Sequence, residues 1–263
     1  MGVVNVTPDS FSDGGRYAVT DQAVAHGLAL AAAGADFLDI GGEATNPRAQ
    51  PVSAEIELAR VLPVLAGLRG KTAALLSVDT TKAAVAEAAL AAGAHVINDI
   101  AGGRFDLAMF DVVAASEAAY VCGHLRGTSL AEVFAAEAPV TWREVADELG
   151  ERLAAMPDRL QGRTLVDPGL GFGKGDHVAN AELIARSGDL GRALGRPVLV
   201  GPSRKRFIAR LVGSSEPAAL DAGTVGACLA AVAAGAQVLR THDVSLIRAA
   251  LAVYTEIDRA RSR

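Results

Sequence analysis

Residues 166–174 read Val-Asp-Pro-Gly-Leu-Gly-Phe-Gly-Lys, which has the form of a buried strand that ends in a carboxylate and an open loop. The apolar run at 164–166 predicts the strand, and Asp167 stands where that run stops. Pro168 removes a backbone donor that a strand interior needs, and the glycines that follow allow backbone conformations closed to other residues. The sequence therefore predicts a loop shaped for the close approach of a ligand.

A succession of helix, glycine and strand recurs along the chain. Residues 32–35, 91–94 and 233–236 each read Ala-Ala-Gly-Ala at the end of a helical run, and a short apolar run follows each of them. Glycine fits the left-handed backbone position just beyond a helix C-terminus. Three copies of this pattern indicate an internal repeat of strand and helix.

Eight strands alternate with eight helices in the predicted order of elements. The predicted strands are residues 2–6, 37–40, 74–78, 96–97, 119–122, 164–166, 197–200 and 238–239. The predicted helices are residues 21–33 (with Thr20 as N-cap), 53–68, 82–92, 107–116, 142–156, 180–194, 217–234 and 244–259. Residues 7–17 predict a long mobile loop, and residues 126–139 an excursion at the top of the fold.

This order of elements predicts an α/β fold, a single (β/α)8 TIM barrel that forms one domain over residues 1–263. Eight parallel strands with right-handed crossovers close into such a barrel in roughly 250 residues. A doubly wound open sheet is the structural alternative, but the glycine-rich dinucleotide turn that it expects after its first strand is not found.

Composition narrows the range of partners. The chain has 263 residues, of which 51% are hydrophobic, so it can bury one large core. The net charge is −5 and no basic run is longer than residues 204–206, which argues against nucleic acid as a partner. No apolar stretch reaches the ~20 residues of a membrane span. Cys122 and Cys228 lack metal-ligand spacing and no secretory leader precedes them, so we expect a reduced, cytoplasmic setting.

Polar residues follow nearly every predicted strand. They are Asn5, residues 39–43, Asp79, residues 98–99, His124, Asp167, residues 203–205, Arg240 and His242. Barrel enzymes carry their chemistry at this end of the strands. Any one of these residues is compatible with a merely solvated strand end, whereas Asp79, Asn98 and Asp167 each follow an apolar run. An unpaired carboxylate there would cost several kcal/mol, and a shared ligand is the simplest compensation.

The residue types indicate the chemistry of that ligand. Two carboxylates and a carboxamide suit a flat nitrogen heterocycle that is edged with N–H donors. The predicted cations Lys205, Arg240 and His242 follow the last two strands, where barrels often bind phosphate. The sequence therefore predicts a heterocycle at the base of the site and an anionic group nearer its rim.

Taken in order, these motifs resemble the bacterial dihydropteroate synthase family over nearly the whole chain. The stretches that carry the resemblance are residues 1–15, 39–43 (Asp-Ile-Gly-Gly-Glu), 77–80 (Ser-Val-Asp-Thr), 97–100 (Ile-Asn-Asp-Ile), 167–174, 201–207 (Gly-Pro-Ser-Arg-Lys-Arg-Phe) and 240–243 (Arg-Thr-His-Asp). The resemblance implies condensation of 6-hydroxymethyl-7,8-dihydropterin diphosphate with 4-aminobenzoate, release of pyrophosphate with Mg²⁺ assistance, and a homodimer that associates through the last helices.

The resemblance also implies roles for individual residues. The pterin would be held by Asp79, Asn98, Asp167 and Lys205, with Arg240 stacked on its ring. The diphosphate would be held by Asn5, Arg240 and His242, with Asn5 acting through the metal, and the implied catalytic residues are these three and Lys205. The aminobenzoate would face Thr45, Pro47, Phe172 and residues 203–206, and Phe11 with its mobile loop would close over the site.

Two departures from the family pattern leave alternatives open. Asn46 stands in place of an arginine, although Arg48 lies two residues on, and Gly123 stands in place of a methionine that lines the pterin pocket. A non-catalytic pterin-binding paralogue is therefore one alternative. A barrel of the methyltetrahydrofolate:corrinoid methyltransferase type is another, although it has no need for the loop at 5–15 or for the cationic cluster. We expect Glu43 to be a structural anchor of its loop.

Overall fold

Eight short parallel strands form the centre of the fold in the computed structural model, which describes residues 1–6, 16–46, 50–135 and 138–261. They are Gly2–Asn5 (β1), Phe37–Gly41 (β2), Leu75–Asp79 (β3), Val96–Asp99 (β4), Ala119–Gly123 (β5), Thr164–Asp167 (β6), Leu199–Val200 (β7) and Val238–Leu239 (β8). Strands β1 to β6 pair in sequence order, and β7 pairs with β8.

Two parallel bridges close these strands into a barrel. Val166 of β6 pairs with Val198, the residue before β7, and Gly2 of β1 pairs with Thr241, which follows β8. The backbone N–H of Val3 also donates to the Thr241 carbonyl at 3.1 Å. Every strand therefore has a neighbour on both sides, so the predicted α/β barrel is confirmed and the doubly wound open sheet is excluded.

Helices surround the barrel and provide the crossovers between its strands. Those within the described ranges are Arg16–Ala32 (α1), Ala54–Leu68 (α2), Ala83–Ala91 (α3), Met109–Ala114 (α4), Leu130–Ala135 (α5), Trp142–Ala154 (α6), Asp158–Gln161 (α7), His177–Ala185 (α8), Ser187–Leu194 (α9), Arg206–Val212 (α10), Pro217–Ala233 (α11) and Val244–Arg261 (α12). Helix α5 lies in the predicted excursion, and α7 and α10 were not predicted.

The repeated helix ends are confirmed. Gly34, Gly93 and Gly235 have φ angles of 94°, 99° and 103°, a conformation that costs glycine nothing because it has no Cβ. The residue after each of these glycines donates its backbone N–H to a carbonyl five residues back, at 2.9–3.0 Å. This bond satisfies a carbonyl that the helix end leaves unpaired. The same local device therefore turns the chain from helix to strand in three of the repeats.

Two helix predictions were wrong. Helix α1 begins at Arg16, so Thr20 lies inside it and is not its N-cap, and the last two residues of the predicted 7–17 loop are helical. The predicted helix at 180–194 is two helices, because the backbone leaves the helical region at Arg186. There the N–H of Gly188 donates at 2.7 Å to Ala234, at the end of another helix. That long-range contact is invisible in the local sequence.

Successive side chains of each strand point alternately outward to the helices and inward to the barrel interior. Outward-facing residues such as Val4, Leu38 and Ile97 pack against the helices in the main hydrophobic core. Inward-facing residues near the strand starts form a separate apolar cluster that includes Val96 and Val121. Further along most strands the inward positions become polar, which places a polar layer inside the carboxyl end of the barrel. In the described part of the chain, no helix is long and apolar enough to cross a membrane.

Candidate active site

Five polar side chains from different strands occupy inward-facing positions at the carboxyl end of the barrel. They are Asp39, Asp79, Asn98, Asp167 and Arg240, each two residues beyond an inward-facing apolar or small residue. The side chain of Asn98 is 2% exposed and that of Asp39 is fully buried. Because parallel strands end at the same rim, local sequence alone was enough to place most of these residues together.

Arg240 is the centre of this cluster. Its Nε donates to Asp39 at 2.6 Å, and a terminal guanidinium nitrogen donates to Asp79 at 2.7 Å. Asp39 also accepts from the hydroxyl of Ser77 at 2.6 Å and from the amide of Asn98 at 2.9 Å. Charge-assisted contacts of this kind are short and directional, so they fix the plane of the guanidinium.

The role of Asp39 as the buried partner of Arg240 was not predicted. Sequence reasoning counted it only among the polar residues that follow strands, whereas it lies inside β2 and is fully buried. A signal was available, because a carboxylate between the apolar residues Leu38 and Ile40 would cost several kcal/mol if it had no partner. The partner comes from a strand about two hundred residues away, which no local pattern reveals.

Burial changes the titration of both predicted pterin carboxylates. Desolvation raises the pKa of Asp79 to about 7, against the opposing charge of Arg240. Desolvation also raises the pKa of Asp167, while the backbone N–H of Gly169 and the charge of Lys205 act in the opposite direction. Asp167 already accepts that N–H at 2.7 Å. Both groups can therefore change protonation when a ligand with N–H donors replaces water.

Lys205 and Phe172 form the next wall of the site. The Lys205 ammonium lies 3.9 Å from the centre of the Phe172 ring, in a cation–π contact. Burial and the charge of Arg240 together lower the pKa of Lys205 to about 8. The charges of Asp167 and Asp79 both act on Lys205, so this lysine lies near two of the residues that were predicted to hold the pterin with it.

Lys174 is a second buried lysine at this rim, and sequence reasoning gave it no role. Its side chain is 2% exposed, and its ammonium donates to the carbonyl of His124 at 3.0 Å and to that of Phe172 at 2.8 Å. Burial lowers its pKa to about 7. The lysine ties the glycine-rich loop after β6 to the end of β5. Local sequence carried no signal of its burial.

His242 lies at the rim, but its predicted positive charge is wrong. Burial lowers its pKa to about 4, and Arg240 and Arg204 add to the effect, so the imidazole is neutral near pH 7. Its Nδ1 lies 2.9 Å from the Ser203 hydroxyl, which also accepts the backbone N–H of His242 at 3.2 Å. His242 can therefore exchange hydrogen bonds with an anion, whereas Lys205 and Arg240 supply the positive charge.

Asn5 is the predicted metal ligand, and its surroundings fit a weakly held Mg²⁺. Its side chain is exposed at the end of β1, and its Oδ1 would lie 3.7 Å from a Cβ built on Gly41, beside Asp79. Among the described residues, no group of three His, Cys, Asp or Glu side chains could hold a metal ion. Mg²⁺ usually keeps several waters and takes few protein oxygens beside substrate phosphates, and the Asn5 amide oxygen would be one such ligand.

The remaining predicted site residues lie outside the cluster or outside the described residues. Thr45 is half-buried on the segment after β2, and within the described ranges no hydrogen bond or ion pair joins it to the cluster. Phe11, Pro47 and Arg48 lie outside the described residues. The structural reading of Glu43 is confirmed, because its two oxygens accept from the Val52 backbone and from a lysine.

Gly123 does not leave an open space where the family pattern has a methionine. A Cβ built on it would lie 2.5 Å from the Cα of Ile100 and 2.7 Å from the carbonyl of Asp99. The loop after β4 therefore occupies this space, and Asp99 fixes the loop by accepting from Tyr120, Ala101 and Gly103. Backbone atoms of the loop after β4 therefore lie within 2.7 Å of the position that a Cβ of residue 123 would take.

A cavity of about 380 Å³ lies beside the glycine-rich loop and is lined by Phe134, Gly171, Lys174 and Arg206, among others. Gly171 faces Lys205 as well, since a Cβ built on it would lie 3.2 Å from Cδ of that lysine. The volume is in the range of small-molecule sites. The cavity therefore continues the site outward from the Lys205 and Phe172 wall.

The sequence matches the family model described as "Pterin binding enzyme" over residues 1–242. Among curated proteins, the dihydropteroate synthase of Mycobacterium leprae (strain TN) is 43% identical over 256 residues, an alignment that covers 93% of this chain and 88% of that protein.

Solved structures give the same relationship. The dihydropteroate synthase of Xanthomonas albilineans with 4-aminobenzoic acid superposes with a TM-score of 0.87 at 45% identity, covering 98% of this chain and 92% of that one. The same enzyme in complex with 7,8-dihydropteroate gives a TM-score of 0.83 at 44% identity, with the same coverage of 98% and 92%.

Proposed function

Since this chain belongs to the family of pterin-binding enzymes that includes the dihydropteroate synthases, we propose that it is a transferase of folate biosynthesis. It would condense 6-hydroxymethyl-7,8-dihydropterin diphosphate with 4-aminobenzoate and form 7,8-dihydropteroate and pyrophosphate. The observation that carries the proposal is the convergence of Asp79, Asn98, Asp167 and Lys205 around Arg240 at the rim of the barrel.

The pterin would bind over the floor of the site. Asp167 and Asp79 would accept hydrogen bonds from the amino and ring N–H groups of the heterocycle, and Asn98 would supply a further donor or acceptor. Arg240 would stack on the ring, a role supported by the two carboxylates that hold its guanidinium in one plane. Lys205 would donate to a heteroatom at the opposite edge of the ring.

The diphosphate would lie between the first and last strands. Asn5 is the residue that would hold Mg²⁺ there, and Arg240 and His242 would hydrogen-bond the phosphate oxygens directly. When bound, the metal would neutralise charge on the leaving diphosphate. The neutral state of His242 supports a role as a hydrogen-bonding partner rather than as a source of charge.

The arylamine would enter along the wall formed by Phe172 and residues 203–206. The Phe172 ring offers an apolar face, and the cavity beside Arg206 leaves room for the carboxylate end of 4-aminobenzoate. Thr45 and Pro47 would contribute from the segment after β2. Phe11 and its loop would exclude water from the reacting atoms.

The reaction needs positioning and electrostatics more than acid–base chemistry. The C–O bond between the methylene and the diphosphate breaks, pyrophosphate leaves with the electron pair, and the amine nitrogen forms the new C–N bond before it loses a proton to solvent. Arg240, Lys205, His242 and Asn5 would be the catalytic residues, because they stabilise the departing anion and orient the pterin. A reaction that proceeds in this way requires no strong general base.

We also propose the setting in which the enzyme works. Residues 1–263 would form one pterin-binding barrel domain, and two chains would form a homodimer through the last helices. Exposed Val253 and Ile257 on α12 support such a contact. We expect small-molecule substrates, neither nucleic acid nor a membrane as a partner, and a cytoplasmic location. The net charge of −5 supports the expectation that nucleic acid is not a partner.

Pyrophosphate release tests the proposal. The purified protein is mixed with the pterin diphosphate, with and without 4-aminobenzoate and Mg²⁺, and the products are identified by mass spectrometry. We expect release that depends on the amine and the metal and that yields dihydropteroate. Pterin binding without release would favour the non-catalytic paralogue. Methyl transfer from a methylated tetrahydrofolate to a corrinoid would favour the methyltransferase alternative.

A further inference from the structure

A partly buried charge network joins the residues after β2 to helix α2 and to the start of α3. The ammonium of Lys82, at the start of α3, is 2.6 Å from Glu57 on α2 and 2.9 Å from Glu43 at the end of β2. The side chain of Glu57 is fully buried, and its Oε1 has no hydrogen-bond partner within the described ranges. Three elements around the barrel therefore meet at one lysine.

The network fixes described residues on both sides of Thr45. Glu43 uses its Oε2 for Lys82 and its Oε1 for the backbone N–H of Val52, at 2.7 Å. Helix α2 adds a second tie, because Arg60 donates to the carbonyl of Gly42 at 2.7 Å. Residues 42 and 52 are thus both fixed with respect to the barrel, on either side of Thr45.

Stability alone does not account for this arrangement. A buried ion pair adds little to the net stability of a protein, because desolvation of the two charges offsets their attraction. Two apolar residues of similar volume often stabilise the folded state equally well. Here two carboxylates share one ammonium and one buried oxygen is left unpaired. An arrangement that is so poorly optimised for stability is better explained by what it positions.

The network also acts on the pterin end of the site. Lys82 follows Asp79 by three residues, and the negative charge of Glu57 is one of the influences that raise the pKa of Asp79. Glu57 therefore also has an effect, through its charge, on the titration of a proposed pterin ligand.

We propose that Lys82, with Glu57 as its buried counter-ion, is a positioning residue that fixes Glu43 and Val52, on either side of Thr45, for binding of the aromatic amine. This inference rests on the proposed function. Lys82 touches neither substrate, and it acts through Glu43 and Val52 on the orientation of Thr45.

Steady-state kinetics of Lys82→Met test the inference. We expect KM for 4-aminobenzoate to rise by about tenfold, as is usual when a supporting residue is removed. KM for the pterin diphosphate should change by less than KM for the amine, because the Lys82 ammonium bonds to Glu43 and Glu57 and to none of the described residues proposed to hold the pterin or the diphosphate. Lys82→Arg should restore most of the amine affinity. Lys71→Met removes an exposed lysine with no side-chain partner within the described ranges, and serves as the control.

A double variant separates positioning from stability. Lys82→Met leaves Glu57 buried without a counter-ion and should lower Tm, whereas Lys82→Met/Glu57→Leu removes both charges and should recover it. The double variant should still show the raised KM for the amine. If KM for the amine returns to its original value together with Tm, or never changes, the inference is wrong.

Hydrogen exchange at the Val52 amide gives a readout that does not depend on turnover. In Lys82→Met this amide should exchange faster than in the unaltered protein, because Glu43 loses the contact that orients it. If the unaltered protein forms no dihydropteroate, the proposed function fails while this readout still decides the positioning role. Unchanged exchange at Val52 in the variant would overturn it.

Discussion

At the scale of single residues, the site depends on buried charges whose partners come from distant strands. The carboxylates of Asp39 and Asp79 face one guanidinium, and the side chain of Asp39 is fully buried. In such an environment an ionised carboxyl is stabilised only by its partners, so a ligand that offers hydrogen-bond donors changes its protonation as well as its contacts. Substrate affinity should therefore depend on pH.

Pterin affinity should rise as the pH increases through about 7, because Asp79 ionises there and only the carboxylate accepts two hydrogen bonds from the heterocycle. Below that point the affinity should fall by about tenfold per pH unit. Calorimetric titration of a pterin at several pH values measures this slope. Asp79→Asn should bind more weakly and lose the slope, and an unchanged slope in that variant would assign the titration to another group.

Asn5→Ala should affect the diphosphate and leave the heterocycle alone. Removal of the one proposed metal ligand should raise KM for the pterin diphosphate by about 10- to 100-fold and increase the Mg²⁺ concentration required. Affinity for a pterin without the diphosphate should be unaltered. Asn98→Ala is the matched control and should show the opposite pattern; equal losses for both ligands in Asn5→Ala would remove Asn5 from the metal.

At the scale of elements, local sequence predicted where the strands lie. It predicted the helix boundaries and the charge states of the site residues less well. The strands were found because a short apolar run and a following polar residue are local signals. The break at Arg186 depends on a contact with Ala234, and the neutral state of His242 depends on the cations that surround it. Those are tertiary effects. The sequence could therefore predict which residues share the rim but not the charge that each carries.

The approach of the β4 loop to β5 gives a test at the same scale. Gly123→Ala should destabilise the protein by about 1–3 kcal/mol, because its Cβ would lie 2.5 Å from the Cα of Ile100 and backbone must shift. Gly162→Ala is the control, since nothing lies within 4 Å of a Cβ there. Urea denaturation measures both variants. Equal stability of the two would show that the loop yields easily and that Gly123 is not required.

At the scale of the whole molecule, pH acts on stability through opposed groups. Desolvation, helped by the charge of Lys174, lowers the pKa of His124 to about 4 from an ordinary value of 6.5. A depressed histidine contributes stability above pH 6.5 that is lost as the pH falls towards 4. The raised pKa values of Asp79, Asp99 and Asp167 work in the opposite direction, because these carboxyls take up protons in the folded state first.

The difference in stability between the unaltered protein and a His124 variant isolates the contribution of this histidine. His124→Gln removes a side chain that hydrogen-bonds Glu148 at 3.0 Å, so it should destabilise the protein at pH 7. Between pH 6.5 and 4 the unaltered protein should lose roughly 2–3 kcal/mol relative to the variant. His26→Gln, at an exposed histidine, is the control. Parallel stability curves for the unaltered protein and His124→Gln would contradict the burial of a neutral imidazole.

The central claim is that residues from separate strands form one pterin site, and the affinity of Asp167→Asn for a pterin tests it most directly. The substitution keeps the shape of the side chain but replaces one carboxylate oxygen with an NH2 group, which cannot accept a hydrogen bond, and leaves one neutral carbonyl oxygen. Calorimetry should show pterin binding by the unaltered protein and a loss of at least about 100-fold in the variant, since one charge-assisted bond is removed and the other loses its charge. Equal affinity in the two proteins would contradict the claim.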